Sequence, residues 1–124
     1  MPDDVPMMRI GSNLLVTLQG DLEDATVEQI ERVVTREVAR IQARGMLIDI
    51  SGLSLVDSFV ARVIARLVGM ARLLGARATL VGMQPAVALT LVELGVSMKH
   101  VHTALNAEQG LARLQGLRDD RLDG

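Results

Sequence analysis

The chain has no cysteine, tryptophan or tyrosine, one phenylalanine, Phe59, and one lysine, Lys99. Without cysteine there can be no disulfide, no thiolate nucleophile and no cysteine zinc site, which fits a reducing compartment. Without aromatic platforms the base stacking that single-strand nucleic-acid binders rely on is missing. No phosphate-binding loop with its lysine is present either. Charge of one sign is also scarce: 13 basic against 15 acidic residues leave a formal net charge of -2, with no overall pull toward nucleic acid or anionic membrane. No apolar run approaches the roughly 20 residues of a membrane span. Met1-Pro2-Asp3-Asp4 lacks the basic start and apolar core of a secretion signal, so a cytoplasmic location is expected.

What is present is 124 residues, the size of one ordinary domain, with a 49% hydrophobic share. That share is high for a small chain without aromatics, so some of the apolar surface is expected to meet another protein. Met7–Ile10 and Leu14–Leu18 read as two strands of a hairpin joined by Gly11-Ser12-Asn13. From Asp24 to Ala43, Val27, Ile30, Val34, Val38 and Ile41 recur at helical spacing, with Glu28, Glu31, Arg32, Arg36 and Arg40 between them. Asp24, or Thr26 with Gln29, supplies the start signal, and Gly45 the stop.

Met46–Ile50 is a short apolar run interrupted by Asp49, as expected of a buried parallel strand reached by a helical crossover. A second helix is predicted from Asp57 or Ser58 to Leu74, with Gly75 at its C-terminal cap. At 100° per residue, Val60, Val63, Ile64, Leu67, Met70, Ala71 and Leu74 share one face, opposite Arg62, Arg66 and Arg72. Ala78–Val81 reads as a strand, followed by a helix from Pro85 to Gly95. Val101–Thr103 reads as an edge strand, and Asn106 with Gln109 caps a last helix carrying Leu111, Leu114 and Leu117. The order predicts one α/β domain over residues 1–124: a mixed, mostly parallel sheet of four to five strands carrying about four helices. Its core runs from about 7 to 117, and Arg118–Gly124 is a polar, frayed tail.

Ser58, at a helix start, reads as a cap, a phosphoacceptor, or both. A phosphate there would be repelled by Asp57 and favoured by the helix dipole, so its effect is expected in partner binding rather than in folding. A nucleophilic serine fits worse, since Val56-Asp57-Ser58-Phe59-Val60 lacks the flanking glycines of a nucleophile elbow. His100 and His102, the only histidines, are two candidate metal ligands without a clear third and read better as edge-strand histidines, so no metal or cofactor is expected. The acids Asp21, Glu23 and Asp24, with Asp49 further on, raise a phospho-aspartate receiver as a rival. The gap from Asp24 to Asp49, about 25 residues, holds one crossover where a receiver needs two. Asp49 is then a structural group at a strand end.

With Leu47-Ile48-Asp49-Ile50-Ser51, Val56-Asp57-Ser58-Phe59-Val60-Ala61 and the run from Val81 to Gly95, the chain resembles the STAS family, the anti-sigma-factor antagonists, from about Met8 to Leu114. Simple antagonists of that family carry Asp-Ser-Ser-Gly; Asp57-Ser58-Phe59-Val60 is similar to the branch that forms stressosome scaffolds. The resemblance implies a non-catalytic protein phosphorylated at Ser58, with Thr90 near the second acceptor of sister subunits. It implies sequestration of an RsbT-like serine/threonine kinase, co-assembly with RsbR-like STAS sister subunits as homo- and hetero-oligomers, and resetting by an RsbX-like phosphatase. A stand-alone antagonist of an anti-sigma kinase is the alternative. Asp57, Phe59, Arg62 and Arg66 are the candidate partner contacts, with Phe59 either an exposed anchor or a core residue.

Overall fold

The computed structural model describes residues 5–19, 24–53, 56–95 and 101–123, with side chains at 24–27 and 117–123 excepted. Strands β1 (Met7–Ile10) and β2 (Asn13–Gln19) form the expected antiparallel hairpin, turning at Gly11 with φ +61°. Helix α1 (Asp24–Ile41), β3 (Gly45–Gly52), α2 (Ser58–Leu73), β4 (Arg77–Val81), α3 (Pro85–Glu93), β5 (His102–Ala104) and α4 (Ala107–Asp123) follow. The sheet order is β1-β2-β3-β4-β5, parallel from β2 onward. It is the mixed α/β sheet that the alternation of strand and helix patterns implies.

Two-residue alternation along each strand separates the layers. Leu14, Val16 and Leu18 of β2, Met46, Ile48 and Ile50 of β3 and Ala78 and Leu80 of β4 pack against α1, α2 and α3. Leu47 and Val81 point the other way, under Leu114 and Leu111 of α4. With both faces of its centre covered, β3 has to be apolar at consecutive positions, which is why its sequence lacks alternation. On α2 the buried face holds Ala61 and Val68 beside Val60, Val63, Ile64, Leu67 and Ala71, a stripe wider than the one predicted.

Several expectations need correction. Asn13 opens β2 rather than completing the turn, and is buried. Gly45 does not close α1: the chain leaves that helix at Gln42, with φ +50°, and Ala43 N–H donates to the Val38 carbonyl. Gly45 is needed for another reason, because a Cβ there would stand 2.5 Å from Asn13 Oδ1 and 2.8 Å from Leu114 Cδ1. Leu74 is the C-cap of α2, outside helical register, and is exposed rather than packed, while Met70 is only half-buried. Gly75 does take the left-handed position, φ +86°, and Ala76 N–H donates to Ala71 O. Strand β5 begins one residue later than expected. The expected tail is helical as far as Asp123, since no glycine or proline interrupts the chain between 117 and 123. Asp21, Glu23, Lys99 and His100, and the side chains of Asp24, Thr26, Val27 and Leu117, lie outside the described residues.

Candidate functional site

The site forms where the C-terminal end of β3 meets the start of α2. Leu53, just after β3, and Val56, just before Asp57, are buried in the core. Asp57 follows with extended backbone, φ -93° and ψ -179°, and its Oδ1 accepts from Val60 N–H at 2.8 Å. Asp57 is therefore the N-cap and Ser58 the first helical residue. A cap must stand just before the first helical residue, with a side-chain oxygen that reaches the third amide inside the helix, and only Asp57 does so. The sequence left the cap open between the two residues. The structure relieves Ser58 of that role: its side chain is exposed, and no hydrogen bond holds its hydroxyl among the described residues.

The next residues alternate between core and surface. Val60 and Ala61 are buried, whereas the Phe59 ring is half-buried, packed on the main core while its edge lines a groove between α1 and α2. Phe59 is thus neither fully exposed nor fully a core residue. The groove measures about 520 Å³. Glu28, Glu31 and Arg32 of α1 face Phe59, Arg62 and Arg66 of α2 across it. Arg66 Nη2 pairs with Glu31 Oε2 at 3.0 Å, tying the two helices together, while Glu31 Oε1 is buried without a partner. Arg62, one turn beyond Ser58, is exposed and has no ion pair among the described residues. Of the two arginines singled out from the sequence, one is committed to a structural pair and the other is unpaired among the described residues.

The other candidates lie elsewhere. Thr90 sits within α3, where its hydroxyl donates to Ala86 O at 2.9 Å, the ordinary back-bond of a helical threonine. Asp49 lies inside β3, paired with Thr17 and Val81, rather than at its end, because the strand continues to Gly52; its Oδ1 accepts from Ser51 N–H at 2.9 Å. His102 is half-buried on β5 with its Nδ1 3.3 Å from Arg113 Nη2. Burial, then the Arg113 and Arg77 charges, push its pKa below the ordinary value. Among the described residues there is no cluster of three side chains able to hold a metal ion, and no helix long and apolar enough to cross a membrane. Sequence reasoning passed over Gln84, whose Nε2 donates to Ser51 O at 3.0 Å and joins the start of α3 to the end of β3. Gly82 allows that approach, since with φ +74° a Cβ there would stand 2.7 Å from Ser51 Cβ. The pairing of Gly82 with Pro85 three residues on was the only sequence signal for it.

A mixed sheet flanked by helices, with an exposed serine at a helix start and a mixed-charge groove beside it, defines a small α/β domain. The profile of the STAS domain matches residues 4–109, and the chain belongs to that family. It is 33% identical over 100 residues to the RsbT co-antagonist protein RsbRB of Bacillus subtilis, covering 81% of this chain and 36% of that one. This chain spans less than half the length of the RsbT co-antagonists it matches. Among solved structures it is similar to the S58E form of Moorella thermoacetica RsbS, with TM-score 0.84 and 35% identity, covering 94% of this chain and 98% of that one. A chain from a stressosome described as a signal integration and transduction hub gives TM-score 0.83 and 36% identity, over 91% and 98% of the two chains. The family and the sheet topology, with β1 antiparallel and one crossover between β2 and β3, overturn the receiver alternative.

Proposed function

We propose that this chain is an RsbS-like, non-catalytic stressosome scaffold that holds an RsbT-like serine/threonine kinase and releases it when Ser58 is phosphorylated. The observation that carries this reading is the division of labour at the start of α2: Asp57 caps the helix, so the Ser58 hydroxyl is exposed and can be modified without dismantling the cap. A phosphate would add about -1.5 to -2 charges, favoured by the helix N-terminus and opposed by Asp57. The fold tolerates it; a partner seated over Ser58, Phe59 and Arg62 has to desolvate or oppose it. Arg66 takes part by fixing the groove wall through Glu31. RsbR-like sister subunits co-assemble with the chain in homo- and hetero-oligomers, an RsbX-like phosphatase resets Ser58, and the protein works in the cytoplasm. Likeness to RsbS and to a stressosome chain over more than nine-tenths of this chain supports the scaffold branch.

Incubation with ATP and the cognate kinase, followed by mass spectrometry, tests the assignment: one phosphate is expected, on Ser58. In pull-downs Ser58→Ala should fold and retain the kinase permanently, and Ser58→Asp should fold and release it. An active kinase that leaves Ser58 unmodified, or two variants that bind and release like wild type, would sink the reading. A stand-alone antagonist of an anti-sigma kinase is the second reading, and size-exclusion chromatography with the sister subunits separates the two. Only the scaffold forms a large mixed assembly.

A further inference from the structure

We propose that the groups Arg77, His102 and Arg113, on the face of the sheet covered by α4, form a binding site for a phosphate group. The register sets Thr79 opposite His102, and Arg77 precedes Thr79 by two residues, on the same face of β4. Arg113 reaches the cluster from α4, its Nη2 3.3 Å from His102 Nδ1. Arginine can only donate, so the imidazole nitrogen accepts and His102 is neutral in this contact. His102 and Arg113 are thus in contact and the Arg77 charge acts on the same imidazole, and among the described residues no carboxylate pairs with either guanidinium. The polar groups here are incompletely paired: Arg77 Nε and the Thr79 hydroxyl are buried without a partner, and Thr79 is fully inaccessible.

In a chain with net charge -2 this is a local excess of positive charge with unused donors. Burial first, and then the charges of Arg113 and Arg77, hold the His102 pKa below its ordinary value, so the two arginine charges act on the imidazole. A phosphate group matches it better than a carboxylate, because its oxygens can accept from donors on several sides while its charge offsets both guanidinium groups. An anion held there counters the arginine charges facing His102 from β4 and α4, so the imidazole pKa rises and its protonated form adds another donor. Binding then tightens as pH falls. The site is independent of Ser58, which lies on α2 across the sheet.

The test is an NMR titration of the histidine ring resonances of the full chain with inorganic phosphate and, separately, with adenosine monophosphate, against chloride at equal ionic strength. His102→Asn identifies the His102 signal. The expected result is saturable movement of that signal, a His102 pKa raised by phosphate, and affinity weakened about tenfold or more in Arg113→Gln, since a charge-assisted donor is lost. Arg113 is exposed, so this variant should keep the fold, whereas Arg77→Gln serves as a second probe if its melting temperature is retained. Tighter binding of adenosine monophosphate identifies a phosphomonoester ligand, and equal binding identifies free phosphate. The proposal is overturned if neither moves the His102 signal more than chloride does, or if Arg113→Gln binds like wild type.

Discussion

Replacing Asp57 and Ser58 one at a time separates capping from switching. Asp57→Ala removes the 2.8 Å bond from Val60 N–H to Oδ1 and the negative charge next to the helix N-terminus. Losing such a cap costs about 1 kcal/mol, within a range of roughly 0.5–2, and the lost dipole interaction adds about 0.3–1 kcal/mol. The site is exposed and solvated, so the lower part of each range applies and the sum is about 1–1.5 kcal/mol. For a chain of this size that lowers the melting temperature by about 3–6 °C. Ser58→Ala breaks no hydrogen bond among the described residues and places a good helix former at an exposed first-turn position, so its effect should stay within about 0.5 kcal/mol. Asp57→Asn keeps a capping oxygen and should recover most of the Asp57→Ala loss. Urea denaturation of the three variants, with unchanged m-values as the check on two-state behaviour, measures all of this. If Ser58→Ala costs as much as Asp57→Ala, Ser58 shares the cap. The free hydroxyl on which the switch reading rests then disappears.

Two further outcomes follow from the packing and the charges. Gly45→Ala should destabilise by about 1–3 kcal/mol, because the new methyl overlaps Asn13 Oδ1 and Leu114 Cδ1, two buried side chains with little room to yield; thermal unfolding should show a lower midpoint, and no change would mean that α4 does not press on β3 there. His102 has a folded pKa below the ordinary value of 6.5, so its neutral form favours the folded state. That stability is fully present above the unfolded pKa and is lost as pH falls from there through the folded value, because the unfolded chain takes up the proton first. Denaturation midpoints between pH 8 and pH 5, about the span across which an unperturbed histidine titrates, should therefore fall less steeply in His102→Gln than in wild type, and parallel profiles would count against the burial of His102.

The order of strands and helices, most of the buried faces of α1 and α2 and the cap of α4 were legible in the sequence because each depends on spacing within one segment. Asn106 Oδ1 does accept from Gln109 N–H at 2.9 Å, as its position three residues earlier predicted. Such signals need no knowledge of what lies opposite. The site was legible as a segment and not as an arrangement. Neighbouring Asp57 and Ser58 are both good caps, and only the backbone, extended at Asp57 and helical from Ser58, decides between them. Gly45 looked like a helix stop, yet its lack of a side chain serves the contact with Asn13 and Leu114, which are distant in sequence. Arg62 and Arg66 looked equivalent on one helix face until α1 placed Glu31 against Arg66 and left Arg62 without an ion pair among the described residues. The same holds for Arg77, His102 and Arg113, scattered along the chain and joined by the register of β4 with β5 and the descent of α4. Local periodicity sets which side of each element turns inward; which side chains meet across elements is set by packing, and the chemistry of this protein resides in those meetings.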